Sequence, residues 1–209
     1  MTLIKICGIT SVEDALEAIA AGADALGLNF VSSSKRVVDR ATAAYISEAV
    51  GDLVELIAVV ANRHSSELEE LREATGIRWL QLHGAESPAE LELLLPDAFK
   101  AVAIGSPGDA LDADRYGGSR LLVDAKVPGE LGGTGQPFDW SLVQSLAKRR
   151  DLIVAGGLRP DNVAEVVHLL HPFGVDVASG VESASNPRKK DIGKLRDFVA
   201  AVRAAEAAP

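Results

Sequence analysis

One cysteine, one methionine, four histidines and an aromatic content of 4% are sparse for a chain of 209 residues, and each scarcity closes a route. The lone Cys7 has no partner for an internal disulfide, and no charged, apolar and small-residue signal pattern opens the chain. A reducing, cytoplasmic setting is the expectation. Four histidines without paired spacing give a metal site no support, so no metal is expected. No apolar run approaches the roughly 20 residues that span a bilayer, which removes a membrane partner. Lys and Arg number 21 against 30 Asp and Glu, a formal net charge of −9. That balance argues against general nucleic-acid binding and leaves room only for a local positive pocket that draws in a small anion.

What is present is a regular alternation. Apolar stretches of strand length stand at "LIKIC", "ALGLNF", "VELIAVV", "WLQLH", "AFKAVAI", "RLLVDA", "DLIVAG" and "GVDVASG". Between them lie segments of helical period: "VEDALEAIAAG", with apolar Ala15, Leu16, Ile19 and Ala20, then "SELEELREATG", "PAELELLL", "DWSLVQSLAKR", "PDNVAEVVHLLH" and "DIGKLRDFVAAVRAA". "ATAAYISEAV" and "GDALDADRYG" are weaker helices in the remaining gaps. Eight such units with no break in composition match a single (β/α)8 TIM barrel over residues 1–209, near the lower size limit of that fold. An open doubly wound sheet is the rival arrangement.

Several strands end in residues that a buried strand has no packing reason to carry: Cys7, Asn29, His83, Asp124, Gly156 and Ser179. In a barrel these ends share one mouth, where active sites are built. Strand seven runs into "AGGLRPDNV" and strand eight into "ASGVES", so Gly156 with Gly157 precede a helix start, and Ser179 with Gly180 another polar turn. Backbone N–H groups at such turns converge on phosphate in barrels of this kind; a plain turn is the alternative for each pair taken singly. A phosphorylated small molecule is therefore the expected partner.

Cys7 and Asp124 face the same mouth, and a thiolate that takes a proton beside a carboxylic acid that gives one would divide acid and base work. Burial as a small hydrophobe is the other reading of Cys7. Lys5, two residues earlier, points to the same side and either favours the thiolate or is structural. Arg36 in "NFVSSSKRVV" is a planar cation suited to a bidentate grip on a carboxylate, or else an exposed loop arginine. His83 is read as pocket wall. The connection from Ala125 to Pro137 is long and carries Gly129, Gly132, Gly133 and Gly135, which suggests a lid over Asp124.

"KICGIT", "GADALGLNF" with "SKRVV", "QLHG", "VDAKVPGELGGTGQPFDW", "AGGLRPDNV", "DVASGVES" and "RKKDIGKLRDF" together resemble the phosphoribosylanthranilate isomerase family of tryptophan biosynthesis along nearly the whole chain. The resemblance implies an Amadori rearrangement of N-(5-phosphoribosyl)anthranilate with no cofactor. Asp124 would be general acid on the ring oxygen and Cys7 general base on the adjacent carbon. Arg36 would hold the anthranilate carboxylate, Gly156, Gly157, Ser179 and Gly180 the phosphate, and Asp176 would orient the pocket. Departures from the family pattern are Asn29, the missing phenylalanine of strand three and Ala178. A related enzyme of histidine biosynthesis places an aspartate at the base position, against which Cys7 speaks. A phosphosugar epimerase and a non-catalytic phosphometabolite-binding barrel are the alternatives. A monomer or homodimer without a fused partner domain is expected.

Overall fold

The computed structural model describes residues 1–126 and 138–207. Eight parallel strands pair in chain order and close on themselves: β1 Leu3–Cys7, β2 Ala25–Asn29, β3 Glu55–Val60, β4 Trp79–Leu82, β5 Ala98–Ile104, β6 Arg120–Ala125, β7 Asp151–Val154 and β8 Gly174–Val177. Closure runs through Lys5, whose Cα pairs with Ala25 on one side and Asp176 on the other. No barrel strand is left with an open edge, so the barrel reading holds and the doubly wound sheet does not. Helices α1 Val12–Ala21, α2 Arg40–Val50, α3 Ser65–Thr75, α4 Pro88–Glu92, α5 Pro107–Ala113, α6 Gln144–Ala147, α7 Val163–Leu170 and α8 Ile192–Ala207 fill the connections. Among the described residues, no helix is long and apolar enough to cross a membrane.

The period of two along each strand sorts the side chains into two cores. Ile4, Ile6, Leu26, Leu28, Leu80, Leu82, Val175 and Val177 belong to the layer packed with the helices, whereas Ala25, Ile57, Phe99, Leu122 and Ile153 fill the barrel itself. At the N-terminal end of the strands Arg120 closes the floor. Its guanidinium stacks 4.2 Å from the Trp79 ring centroid and 5.5 Å from that of Phe173, and it pairs with Glu55 at 2.6 Å. Apolar residues thus fill the lower barrel above the Arg120–Glu55 pair, and the thiol and the polar strand endings lie toward the opposite end.

Four local features differ from expectation. In α1 the buried face is Asp14, Ala15 and Ala18, while Leu16 is 47% exposed. The helix is rotated because the Asp14 carboxylate turns inward to accept the Lys190 N–H at 3.3 Å. The segment beginning at Asp139 is a 3-10 turn, Trp140–Val143, followed by the short α6. Its buried residues Trp140, Val143 and Leu146 recur every third position, the period of a 3-10 helix. α4 stops at Glu92 rather than Leu95, in keeping with the bias of a residue before proline against helix. Finally, an antiparallel hairpin of β9 Glu182–Ser183 and β10 Asn186–Lys190 follows β8. "NPRKK" gave no strand signal, since it lacks apolar alternation and β10 is exposed up to Lys190.

Candidate active site

β1 delivers Lys5 and Cys7 to the inner face of the barrel. Lys5 is fully buried and its Nζ lies 2.9 Å from Asp176 Oδ1 on β8. Cys7 Sγ and Lys5 Nζ converge above Gly27 of β2, where a β-carbon would meet them at 2.8 and 3.0 Å. Burial pushes the Cys7 thiol above its usual range; the Lys5 ammonium and, further off, Lys190 pull it back, and Asp176 opposes them. Burial would by itself lower the Lys5 pKa, but the Asp176 carboxylate and Cys7 outweigh it and the ammonium is held above its ordinary value. The predicted Lys5 neighbourhood of the thiol is present, and Asp176 is tied to the lysine.

Asp124 ends the inward face of β6. Its Oδ1 accepts the Ala125 N–H at 2.7 Å, and its Oδ2 is 3.7 Å from His83 Nε2. His83 stands just beyond β4, its backbone N–H donating to the Val60 carbonyl at 2.7 Å. Burial, with Lys100 and Lys5 nearby, lowers the imidazole pKa to about 4, so the ring is neutral at pH 7. With the Gln81 amide assigned as donor to Nδ1 at 2.9 Å, the ring proton sits on Nε2, facing Asp124.

Under this connection lies a buried ion pair that the sequence reading passed over. Lys100 Nζ donates to the carbonyls of Leu82, Gly84 and Ala101 at 3.1, 2.7 and 2.9 Å and pairs with Glu86 at 3.2 Å. Glu86 accepts from the N–H groups of Asn62 and Gly84 at 2.6 and 2.9 Å. The turn that carries His83 is thereby knotted to β3 and β5.

Arg36, in the connection after β2, is not an exposed loop arginine. Its Nε and Nη2 engage the two oxygens of Glu182, the Nη2 contact at 3.2 Å, and both side chains are largely buried. After β7, Gly156 and Gly157 adopt φ of 85° and 64°, the left-handed region that favours glycine. Asn162 Nδ2 donates to the Gly157 carbonyl at 3.0 Å. Ser179–Val181 forms a 3-10 turn in which Gly180 abuts the Leu158 carbonyl so closely that a β-carbon would overlap it. The two glycine turns therefore pack backbone against backbone.

Cys7, Arg36, His83, Asp124, Gly156, Gly157, Asp176, Ser179 and Gly180 all lie at or near the C-terminal ends of strands or in the connections that follow. Asn29 turns its Oδ1 back to accept the Val31 N–H at 2.8 Å, a structural role. The expected lid, beyond Lys126, lies outside the described residues. Among the described residues no three His, Cys, Asp or Glu side chains gather as a metal site. Gly27, Glu182, Lys190 and the Lys100–Glu86 pair were not singled out from sequence. Gly27 carried a signal as a glycine inside a strand, which marks close approach of a neighbour, and Lys100 as a charge inside the apolar run "AFKAVAI".

Comparison with known proteins adds the family. Residues 4–201 match the family model described as N-(5'phosphoribosyl)anthranilate (PRA) isomerase. The chain is 44% identical over 206 residues to the N-(5'-phosphoribosyl)anthranilate isomerase of Magnetococcus marinus, covering 97% of this chain and 96% of that one. Its fold superposes on the phosphoribosyl anthranilate isomerase of Thermus thermophilus with a TM-score of 0.87 at 36% identity, covering 97% and 99% of the two chains. A phosphoribosyl anthranilate isomerase solved with reduced 1-(o-carboxyphenylamino)-1-deoxyribulose 5-phosphate gives a TM-score of 0.85 at 32% identity, with 98% and 100% covered. A closed barrel with a buried thiol and a carboxylate at its mouth, matched from end to end in sequence and backbone, belongs to the N-(5'-phosphoribosyl)anthranilate isomerase family.

Proposed function

We propose that this enzyme catalyses the Amadori rearrangement of N-(5-phosphoribosyl)anthranilate to 1-(2-carboxyphenylamino)-1-deoxyribulose 5-phosphate in tryptophan biosynthesis. The observation that carries the reading is a buried thiol and a buried carboxylate on inward faces of one barrel, with an anchored guanidinium in the β2 connection and two apposed glycine turns after β7 and β8. The substrate has a carboxylate at one end and a phosphate at the other, and these features match it end for end.

Asp124, in its protonated form, gives a proton to the furanose ring oxygen. The C1–O bond breaks and the anilino nitrogen lone pair forms the C1 iminium. The cation acidifies the neighbouring C2–H, and the Cys7 thiolate removes that proton, its electron pair forming the enolamine and neutralising the nitrogen. Loss of the C2 hydroxyl proton and protonation of C1 then give the ketone. A thiol whose burial opposes ionisation is aided here by Lys5, and an iminium forming in front of it favours the thiolate further. Arg36 grips the anthranilate carboxylate, and the turns at Gly156-Gly157 and Ser179-Gly180 take the phosphate.

The test is loss of anthranilate fluorescence from freshly made substrate, with Cys7→Ala and Asp124→Asn in parallel. Rapid loss with the parent is expected, and each variant should reduce kcat by roughly 10²-fold or more. A parent that does no better than spontaneous decay would remove the reaction; a Cys7→Ala variant with parental kcat would remove the base.

A further inference from the structure

The hairpin β9–β10 holds both Arg36 and the end of β1 that carries Cys7. Glu182 on β9 grips Arg36 side-on, through Nε and Nη2. A guanidinium has five N–H donors in a planar fork, and among the described residues no hydrogen bond engages Nη1. One edge is anchored and the end-on edge is presented. The backbone on either side of Arg36 is clamped as well: Arg188 Nη1 on β10 donates to the carbonyls of Lys35 and Val37 at 3.2 and 2.9 Å. Gly8, directly after Cys7, lies against the Arg36 Cδ so closely that a β-carbon would overlap it.

Lys190 completes the arrangement from the end of β10. Its buried Nζ donates to the Cys7 carbonyl at 2.7 Å and the Ala178 carbonyl at 3.3 Å, stapling the end of β1 to the residue after β8, and lies 3.6 Å from Glu182 Oε1. Arg36 and Lys190 thus flank Glu182, while Asp14 also faces Lys190 and Asp176 also faces Arg36; burial lowers the Lys190 pKa, and Glu182 and Asp14 oppose the shift. The end-on edge of Arg36, unengaged among the described residues, leaves the guanidinium able to take a further carboxylate although its other edge is already paired.

We infer that Glu182 and Lys190 are positioning residues: Glu182 aims the Arg36 guanidinium at the substrate carboxylate, and Lys190 fixes the end of β1 that carries Cys7. This rests on the roles of Arg36 and Cys7 proposed above. The charged groups that face Cys7 are Lys5 from β1, Asp176 from β8, Lys190 from the hairpin and Arg36 from the β2 connection. Removing Lys190 alone subtracts one cation from that set.

Steady-state kinetics with phosphoribosylanthranilate and alkylation of Cys7 by iodoacetamide across pH test the two halves separately. Glu182→Ala is expected to raise KM about tenfold with kcat changed less than about threefold, and Glu182→Gln, of the same shape, to do so in part. If Glu182→Ala does not fold, Glu182→Gln carries the measurement. A parental KM in the folded variant overturns this half. Lys190→Met is expected to lower kcat and to move the midpoint of Cys7 alkylation upward by about half a pH unit or more, while Lys190→Arg, which keeps the cation, stays near the parent. An unmoved midpoint in Lys190→Met overturns the second half. Alkylation needs no substrate, so absence of turnover in the parent removes the assigned reaction and the Glu182 half while the Lys190 result is still read.

Discussion

Gly27 pairs with Cys7 across the β1–β2 ladder, and a β-carbon at Gly27 would sit 2.8 Å from the Cys7 sulfur. The missing side chain makes the room in which the thiol and the Lys5 ammonium meet. Gly27→Ala should force Sγ off its present direction while leaving the backbone able to pair. A displacement of about 1 Å in a catalytic group costs on the order of 10²-fold in rate, so kcat should fall by about that factor with Tm lowered by only a few degrees. Fluorescence kinetics beside a thermal melt decide it. Parental kcat in the alanine variant would mean that the thiol direction seen here is not the working one.

The Cys7–Lys5–Asp176 cluster predicts base lability. Cys7 keeps its proton in the fold at pH values where the unfolded chain, near 9.0, loses it. Lys5 likewise holds its proton above the ordinary 10.5. In both cases the folded state binds more protons, so the stabilisation is complete below the unfolded values and is lost as pH rises through the folded ones. Tm should therefore decline from about pH 9 upward. Lys5→Met should push the alkylation midpoint of Cys7 still higher, because it removes the nearest cation and leaves Asp176, with Lys190 and Arg36 as the remaining charges. A midpoint that falls in Lys5→Met would refute the electrostatic account.

The barrel was legible because its signal is repeated eight times: each strand is an apolar run, and each polar strand ending is an exception to that run. Cys7 and Asp124 stood out for that reason. Glu182 and Lys190 did not, because they lie in a short charged segment with no period, and their significance depends on Arg36, 146 residues before Glu182. A pairing over that separation leaves no local trace. Lys100 and Glu86 were hidden in another way. A lysine inside "AFKAVAI" breaks an apolar strand, but only the fold shows that three carbonyls and a carboxylate await it. The rotation of α1 has the same origin, since Asp14 turns inward for a backbone N–H at the far end of the chain.

His83 gives an acid-side prediction. Its folded pKa of about 4 lies below the ordinary 6.5. Between those values the unfolded chain takes up a proton that the fold refuses, so stability is complete above pH 6.5 and falls as pH drops toward 4. The effect amounts to about 3 kcal/mol by pH 4. The groups that face the ring are Lys100 and Lys5, which disfavour its charge, Asp176 and Glu86, which favour it, and Asp124 at 3.7 Å. His83→Asn should flatten the urea midpoint between pH 6.5 and 4 relative to the parent. Parallel curves for the two proteins would show that the imidazole is not the group responsible.

Lys100→Met is the sharpest test of the knot beneath His83. Burial lowers the Lys100 pKa and Glu86 opposes the shift, so the pair is a charge held against its solvation cost. Removing the cation leaves Glu86 with its two backbone N–H donors but no counter-charge in a buried setting. Breaking a buried pair from one side costs about 3–5 kcal/mol, which for a chain of this size lowers Tm by roughly 10 °C. The Lys100→Met/Glu86→Gln double variant should recover part of that loss, because no buried charge then remains, and the coupling in a urea double-mutant cycle should exceed about 1 kcal/mol. If instead the two changes add, the ion pair is not what stabilises the turn. The three carbonyl contacts of Lys100 would then account for the lysine by themselves, and His83 would be positioned by its own backbone bond to Val60.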